Sequence, residues 1–193
     1  MKMDEIVPDK IFTILDVLTE QECDEYIRIS EHNGYVDAPI TTAAGFIMRK
    51  DVRNNTRVMI DDSSIVNYIW QKIAQYIPAQ REGWQAIGLN ERIRYYRYEP
   101  DQYFAWHYDG CFRRNENEES KLTLMIYLND NFEGGETKFN LKYLYDEIDV
   151  KPKKGMALLF DHYLYHEGSP VISGVKYVLR SDVMYKRILQ MVR

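Results

Sequence analysis

A chain of 193 residues with 45% hydrophobic and 28% charged residues has the balance of one decorated globular domain, not of a multidomain machine or a disordered tail. Its net charge of −5 removes the electrostatic case for general nucleic-acid binding, and no apolar run approaches the roughly 20 residues that cross a bilayer. Two cysteines, Cys23 and Cys111, outside any CxxC or Cys/His cluster, disfavour a disulfide scaffold or zinc ribbon and fit a reducing, cytoplasmic compartment.

The opening, MKMDEIVPDK, has acids where a signal peptide needs a basic and then an apolar stretch, so export is not expected. The first half then reads as helical. Thr19-Glu20-Gln21-Glu22 is a capping box, and Cys23, Tyr26, Ile27 and Ser30 follow at helical spacing until Asn33-Gly34 stops the helix. His32 sits at that end, where an imidazole suits the carbonyl dipole better than a metal. A second helix opens at Asp61-Asp62-Ser63 and sets Ile65, Tyr68, Ile69, Ile73, Tyr76 and Ile77 on one face until Pro78, which predicts a helix covering a sheet. Between the two, residues 35–57 cluster Arg49, Lys50, Arg53 and Arg57. Two readings stand there, a solvated loop or edge and a basic lip over an acidic partner.

From residue 91 the period changes to two. Ile93 and Tyr95 alternate with Arg92, Arg94 and Tyr96, and Leu122, Leu124, Ile126 and Leu128 alternate with Thr123, Met125 and Tyr127. Met156 to Phe160 and Val175 to Tyr185 continue the series, and sixteen tyrosines suit a sheet-rich core. Turns rich in Asp, Asn and Gly, Gly134-Gly135 among them, join these strands with no helical pattern between, so they pair antiparallel. The expected class is α+β, mainly β: N-terminal helices packed on the sheet of a sandwich or jelly roll. Residues 1–90 are expected to form a helical support region of the same domain as a core at 91–187.

Three of the four histidines, His107, His162 and His166, lie in the strand-rich half. In His107-Tyr108-Asp109, residues two apart at a strand end point the same way, so an imidazole and a carboxylate can reach one ion. A third ligand from a neighbouring strand would complete a two-histidine, one-carboxylate face, the arrangement suited to Fe(II) with open positions for a co-substrate and O₂. An isolated HxD is more often a surface hydrogen-bonded pair. His162, four before His166, lacks the His-Glu-x-x-His order in a segment that reads as strand or turn, and is taken as structural.

Four ordered pieces, RYEPDQYFAWHYD, SKLTLMIYLND, FEGGETKF and HEGSPVISGVKYVLRSDVMY, change the weight of that triplet. Over roughly residues 90–187 the sequence resembles the prolyl 4-hydroxylase-like group of Fe(II)/2-oxoglutarate-dependent dioxygenases. The resemblance implies a double-stranded β-helix, iron held by His107, Asp109 and His166, and Lys176, ten residues past His166, pairing with the far carboxylate of 2-oxoglutarate. It places Tyr98 where such enzymes often have a tyrosine bonding the same co-substrate, and it implies O₂ as second co-substrate and ascorbate dependence. Lys176, Val178 and Arg180 share a strand face, so Arg180 stays open as the alternative clamp. The implied reaction hydroxylates a C–H bond, with peptidyl proline the first substrate considered and small molecules still open. Arg113, Arg114 and the NENEE stretch read as a mobile lid over the site. A non-catalytic jelly-roll binding module, a zinc hydrolase on the same triad and an interaction protein using residues 49–57 remain the other readings.

Overall fold

The computed structural model describes residues 1–42, 45–142 and 147–188. Both helices form where local signals put them. In α1 (Glu20–Asn33) the Glu22 N–H donates to Thr19 Oγ1 at 3.2 Å while the Thr19 N–H donates to Glu22 Oε2 at 2.7 Å, and Gly34 caps the far end with φ 75°. In α2 (Ser63–Ile73) the Asp62 carboxylate accepts from the Ser64 and Ile65 N–H groups, and a short 3-10 turn, Ala74–Tyr76, follows. Of the forecast apolar face, Ile69, Ile73 and Ile77 are buried and Val66, outside that forecast, packs inward with them, while Tyr68 is exposed. Its hydroxyl donates instead to Glu22, which also pairs with Lys72 at 3.0 Å and so ties the helices together. Replacing Thr19 by alanine should cost about 1 kcal/mol, read as a lower urea midpoint with an unchanged slope.

Most of the described strands make two facing sheets, and two two-stranded ribbons, Ile40–Thr42 with Gly45–Ile47 and Glu133–Gly134 with Val171–Ser173, stand apart from them. In the larger sheet, neighbours run in the order Lys2–Val7, Ile11–Leu15, Ala157–Asp161, Glu118–Tyr127, Lys176–Arg187, Arg92–Tyr98, Thr56–Asp61 and Val36–Asp37, all antiparallel. Trp84–Leu89 pairs with the distal part of Lys176–Arg187, end to end with Arg92–Tyr98. The smaller sheet has the order Phe104–His107, His166–Gly168, Thr137–Phe139 and Ile148–Val150. This is the jelly roll. The chain does not begin with helices, however: Lys2–Val7 and Ile11–Leu15 come first and extend the larger sheet. Ile11, Phe12 and Ile14 are fully buried there, an apolar run too short to declare its period before its distant partner Ala157–Asp161 is known.

Period two divides the interior into two cores. Ile93, Tyr95, Leu122, Leu124, Ile126, Leu179 and Val183 face the helices and meet Cys23, Tyr26, Val66, Ile69 and Ile73. Tyr96, Tyr98, Tyr127, Leu158 and Val178 point the other way, toward Phe139 and Val150 of the smaller sheet. At roughly 1.5–3 kcal/mol for each large apolar side chain, both layers are held mainly by burial. Among the described residues no helix is long and apolar enough to cross a membrane.

Candidate active site

Antiparallel pairing of Phe104–His107 with His166–Gly168 sets His107 directly opposite His166, a cross-strand pair although 59 positions separate them in the chain. Their ring centroids are 4.2 Å apart. Asp109, just past the first strand, completes the group: His107 Nε2 lies 3.7 Å from its Oδ1 and His166 Nε2 lies 3.7 Å from its Oδ2. One ligand atom from each of the three falls within 4.8 Å of the others. Phe104 stacks on the His107 ring with centroids 3.5 Å apart and limits its rotation.

The protonation pattern suits a divalent ion. His107 Nδ1 lies 2.7 Å from the Ala105 carbonyl and His166 Nδ1 lies 2.9 Å from the Leu164 carbonyl. A carbonyl only accepts, so each Nδ1 carries the proton and each Nε2 lone pair faces Asp109, the orientation found in metal-ligating histidines. Burial, with His166 adding to it, lowers the His107 pKa to about 3, and burial also lowers that of His166. Burial acts to raise the Asp109 carboxyl, but Arg180 and the two imidazoles outweigh it and hold the group well below the usual carboxylate range. At neutral pH two neutral imidazoles and one carboxylate therefore converge, a donor set that fits Fe(II) and leaves the opposite face of an octahedral ion open.

The cavity beside this triad lies between the sheets. Tyr96, Tyr98, Met125, Lys176 and Arg180 line it from the larger one, and Phe104, Thr137, Glu167 and Gly168 from the smaller. Lys176 is 2% exposed, donates to the Gly135 carbonyl at 2.6 Å and sits against the Tyr98 and Tyr127 rings. Burial lowers its pKa to about 7. The glycines after Phe132 make this possible: both have positive φ, and a Cβ on Gly135 would meet Lys176 Cδ at 3.1 Å. Arg180 is engaged elsewhere, with Nη2 3.0 Å from Asp109 Oδ2 and 3.5 Å from Asp182 Oδ1. The two cations that share a face thus separate, one beside the triad and one at the Gly135 end. Burial raises the Tyr98 hydroxyl to about 12, so it enters the cavity as a neutral donor.

Other sequence expectations fare differently. His162 is buried but outside the cavity, with Nε2 2.7 Å from Ser120 Oγ and Nδ1 2.9 Å from Thr123 Oγ1, and burial keeps its ring neutral by lowering the pKa. His32 lies in the last turn of α1, outside the group formed by the triad. Arg53 belongs to neither a solvated loop nor a basic lip: it is 4% exposed, with its guanidinium over the Tyr96 and Phe104 rings. Arg113, Arg114 and the NENEE stretch form a β-hairpin with ion pairs Arg113–Glu119 at 3.0 Å and Arg114–Glu118 at 3.5 Å. The sequence reading missed Thr123, which donates to Asp109 Oδ2 at 2.6 Å, and Tyr96, whose pKa burial would raise but Arg180, Arg53 and Arg94 bring down to about 8. Strand parity carried the signal, since Thr123 and Tyr96 both lie opposite the apolar face of their strands.

Known proteins resemble this chain in sequence and in build. Residues 93–181 match the family model for the 2OG-Fe(II) oxygenase superfamily. Over 195 aligned residues the chain is 28% identical to prolyl 4-hydroxylase 1 of Arabidopsis thaliana, covering 87% of this chain and 66% of that protein, so it spans just under two thirds of that relative. A putative prolyl 4-hydroxylase of Acanthamoeba polyphaga mimivirus is 26% identical, with 88% of this chain and 72% of that protein covered. The crystal structure of the viral collagen prolyl hydroxylase of Paramecium bursaria Chlorella virus-1, in complex with 2-oxoglutarate, superposes with a TM-score of 0.66 at 25% identity, covering 93% of this chain and 97% of the other. With its jelly roll, its converging His107, Asp109 and His166, and these likenesses, the chain resembles the 2OG-Fe(II) oxygenase superfamily and, among the relatives named, prolyl 4-hydroxylases.

Proposed function

We propose that this chain is an Fe(II)- and 2-oxoglutarate-dependent dioxygenase that hydroxylates peptidyl proline and releases succinate and CO₂. The observation that carries this reading is the meeting of His107, Asp109 and His166, each with its lone pair turned inward, beside a buried cation in one cavity. Fe(II) bound there supplies the redox chemistry, coupling decarboxylation of 2-oxoglutarate to insertion of an oxygen atom from O₂ into a C–H bond. His107, Asp109 and His166 hold the ion, and Lys176 takes the far carboxylate of 2-oxoglutarate. Tyr98 donates to the same co-substrate. The tyrosine and phenylalanine walls exclude water, which strengthens each of these polar contacts.

Two features favour a peptide substrate. The relatives just described are prolyl hydroxylases by name. On the outer side of the His107 strand, Tyr165 stacks with Trp106 at 5.2 Å and leans on Tyr108 at 5.0 Å, while Tyr108 and Tyr163 are exposed. Aromatic-lined surfaces of this sort accept the preformed polyproline II helix. Two free cysteines support a reducing, cytoplasmic setting. Ascorbate enters as a supporting reductant on the family resemblance alone.

The test loads purified protein anaerobically with Fe(II), adds 2-oxoglutarate and air, and screens proline-rich peptides against a metabolite pool for succinate and for a product heavier by one oxygen atom. Succinate release stimulated by the peptides is the expected result. Stimulation by a metabolite alone would replace the peptidyl part of the reading, and failure to bind both iron and 2-oxoglutarate would end all of it.

A further inference from the structure

Resting on the reading of His107, Asp109 and His166 as a metal centre, we infer that Thr123 and His162 are positioning residues: a one-way chain of hydrogen bonds through them fixes which oxygen of Asp109 is offered to the ion. The direction follows from chemistry. A carboxylate oxygen only accepts, so the Thr123 hydroxyl, 2.6 Å from Asp109 Oδ2, is the donor. The Thr123 oxygen is therefore the acceptor toward His162, whose Nδ1, 2.9 Å away, carries the proton. The other ring nitrogen, Nε2, lies 2.7 Å from Ser120 Oγ, which accepts from the Phe112 backbone N–H at 2.8 Å. Neither link of Thr123 can reverse without breaking the other.

The chain is also well shielded. Ser120, Thr123 and His162 are each no more than 1% exposed, so water offers none of them an alternative partner. The His162 carbonyl accepts from the Asp109 backbone N–H at 3.0 Å, which fixes the main chain of the loop as well as its side chain. Arg180 Nη2, 3.0 Å from the same Asp109 Oδ2, takes the second site on that oxygen. Oδ1 is left with free lone pairs on the side of His107 Nε2. Thr123 and Arg180 thus pin one oxygen and leave the other to act as a single-point ligand. This matters for turnover, because a carboxylate gripping with both oxygens would use a position that the co-substrate or O₂ needs.

The experiment titrates Co(II), a visible stand-in for Fe(II), into wild type, Thr123→Val, Thr123→Ser, His162→Leu and His162→Asn, following d–d absorption and affinity, with thermal melts as a folding check. Thr123→Val keeps the shape and removes the hydroxyl, and is expected to weaken Co(II) by roughly 10- to 100-fold and shift the bands. Thr123→Ser restores the hydroxyl and should stay within a few-fold of wild type with its spectrum. His162→Asn, which retains an N–H donor, should lie nearer wild type than His162→Leu. Wild-type affinity and bands in Thr123→Val overturn the relay and leave the metal centre standing, and so does an equal loss in Thr123→Ser. Wild-type protein that takes up no Co(II) removes the metal centre and the relay together.

Discussion

Replacing Asp109 by alanine is expected to abolish 2-oxoglutarate turnover, with a loss of roughly three orders of magnitude or more in succinate formation. The same should hold for His107→Ala, and bound iron, measured by elemental analysis after anaerobic loading, should fall with it. The reasons differ at the two positions. At His107 the change deletes one inward lone pair and leaves no buried charge behind, since the ring is neutral with a pKa near 3. At Asp109 it also removes the carboxylate closest to Arg180, which keeps Asp182 at 3.5 Å and Tyr96 at 3.4 Å. Breaking a buried ion pair on one side costs about 3–5 kcal/mol, so Asp109→Ala should melt earlier than His107→Ala. Iron retained at wild-type level in both variants would show that the triad does not hold it.

Lys176→Ala should weaken 2-oxoglutarate binding by about 2–5 kcal/mol, a factor of roughly 30 to several thousand, while iron content is nearly unchanged. Arg180→Ala should do the reverse and depress iron first, because its guanidinium lies on Asp109. If only Arg180→Ala raised the 2-oxoglutarate requirement, the clamp would move four residues. Lys176 also sets a pH dependence. Burial holds it near 7, so above that pH the empty site loses its positive charge, and 2-oxoglutarate affinity should fall by up to about tenfold per pH unit. Calorimetry in buffers of different ionisation enthalpy should detect proton uptake on binding. In the absence of co-substrate the sign for stability is opposite: between about 7 and 10.5 the unfolded lysine holds a proton that the folded one lacks, so this group makes the fold more stable as pH rises.

Local physics made part of this molecule legible. A capping box and an Asx cap act over three or four residues, so the starts of α1 and α2 stood in the sequence. The His107/Asp109 pair was legible for the same reason, being two residues apart at a strand end. What depended on partners far along the chain was not. Ile11–Leu15 is a strand because Ala157–Asp161 lies beside it, and no neighbour of Phe12 announces that. Arg53 looked solvated because it is charged, yet two aromatic faces bury it. Lys176 and Arg180 could not be ranked from spacing, since both face inward. Register separates them: Arg180 stands opposite Met125, near the triad, while Lys176 runs past Tyr127 to the Gly135 turn.

The strand Lys176–Arg187 gives that separation a fixed length. Four residues of extended chain at roughly 3.3 Å each put about 13 Å between the backbone positions of the ammonium and of the guanidinium beside the triad. Pairing with Arg92–Tyr98 on one side and Glu118–Tyr127 on the other keeps the spacing from stretching. On the proposed reading the pleat would act as a caliper for diacids, and a homologue one methylene shorter or longer than 2-oxoglutarate is expected to bind more weakly.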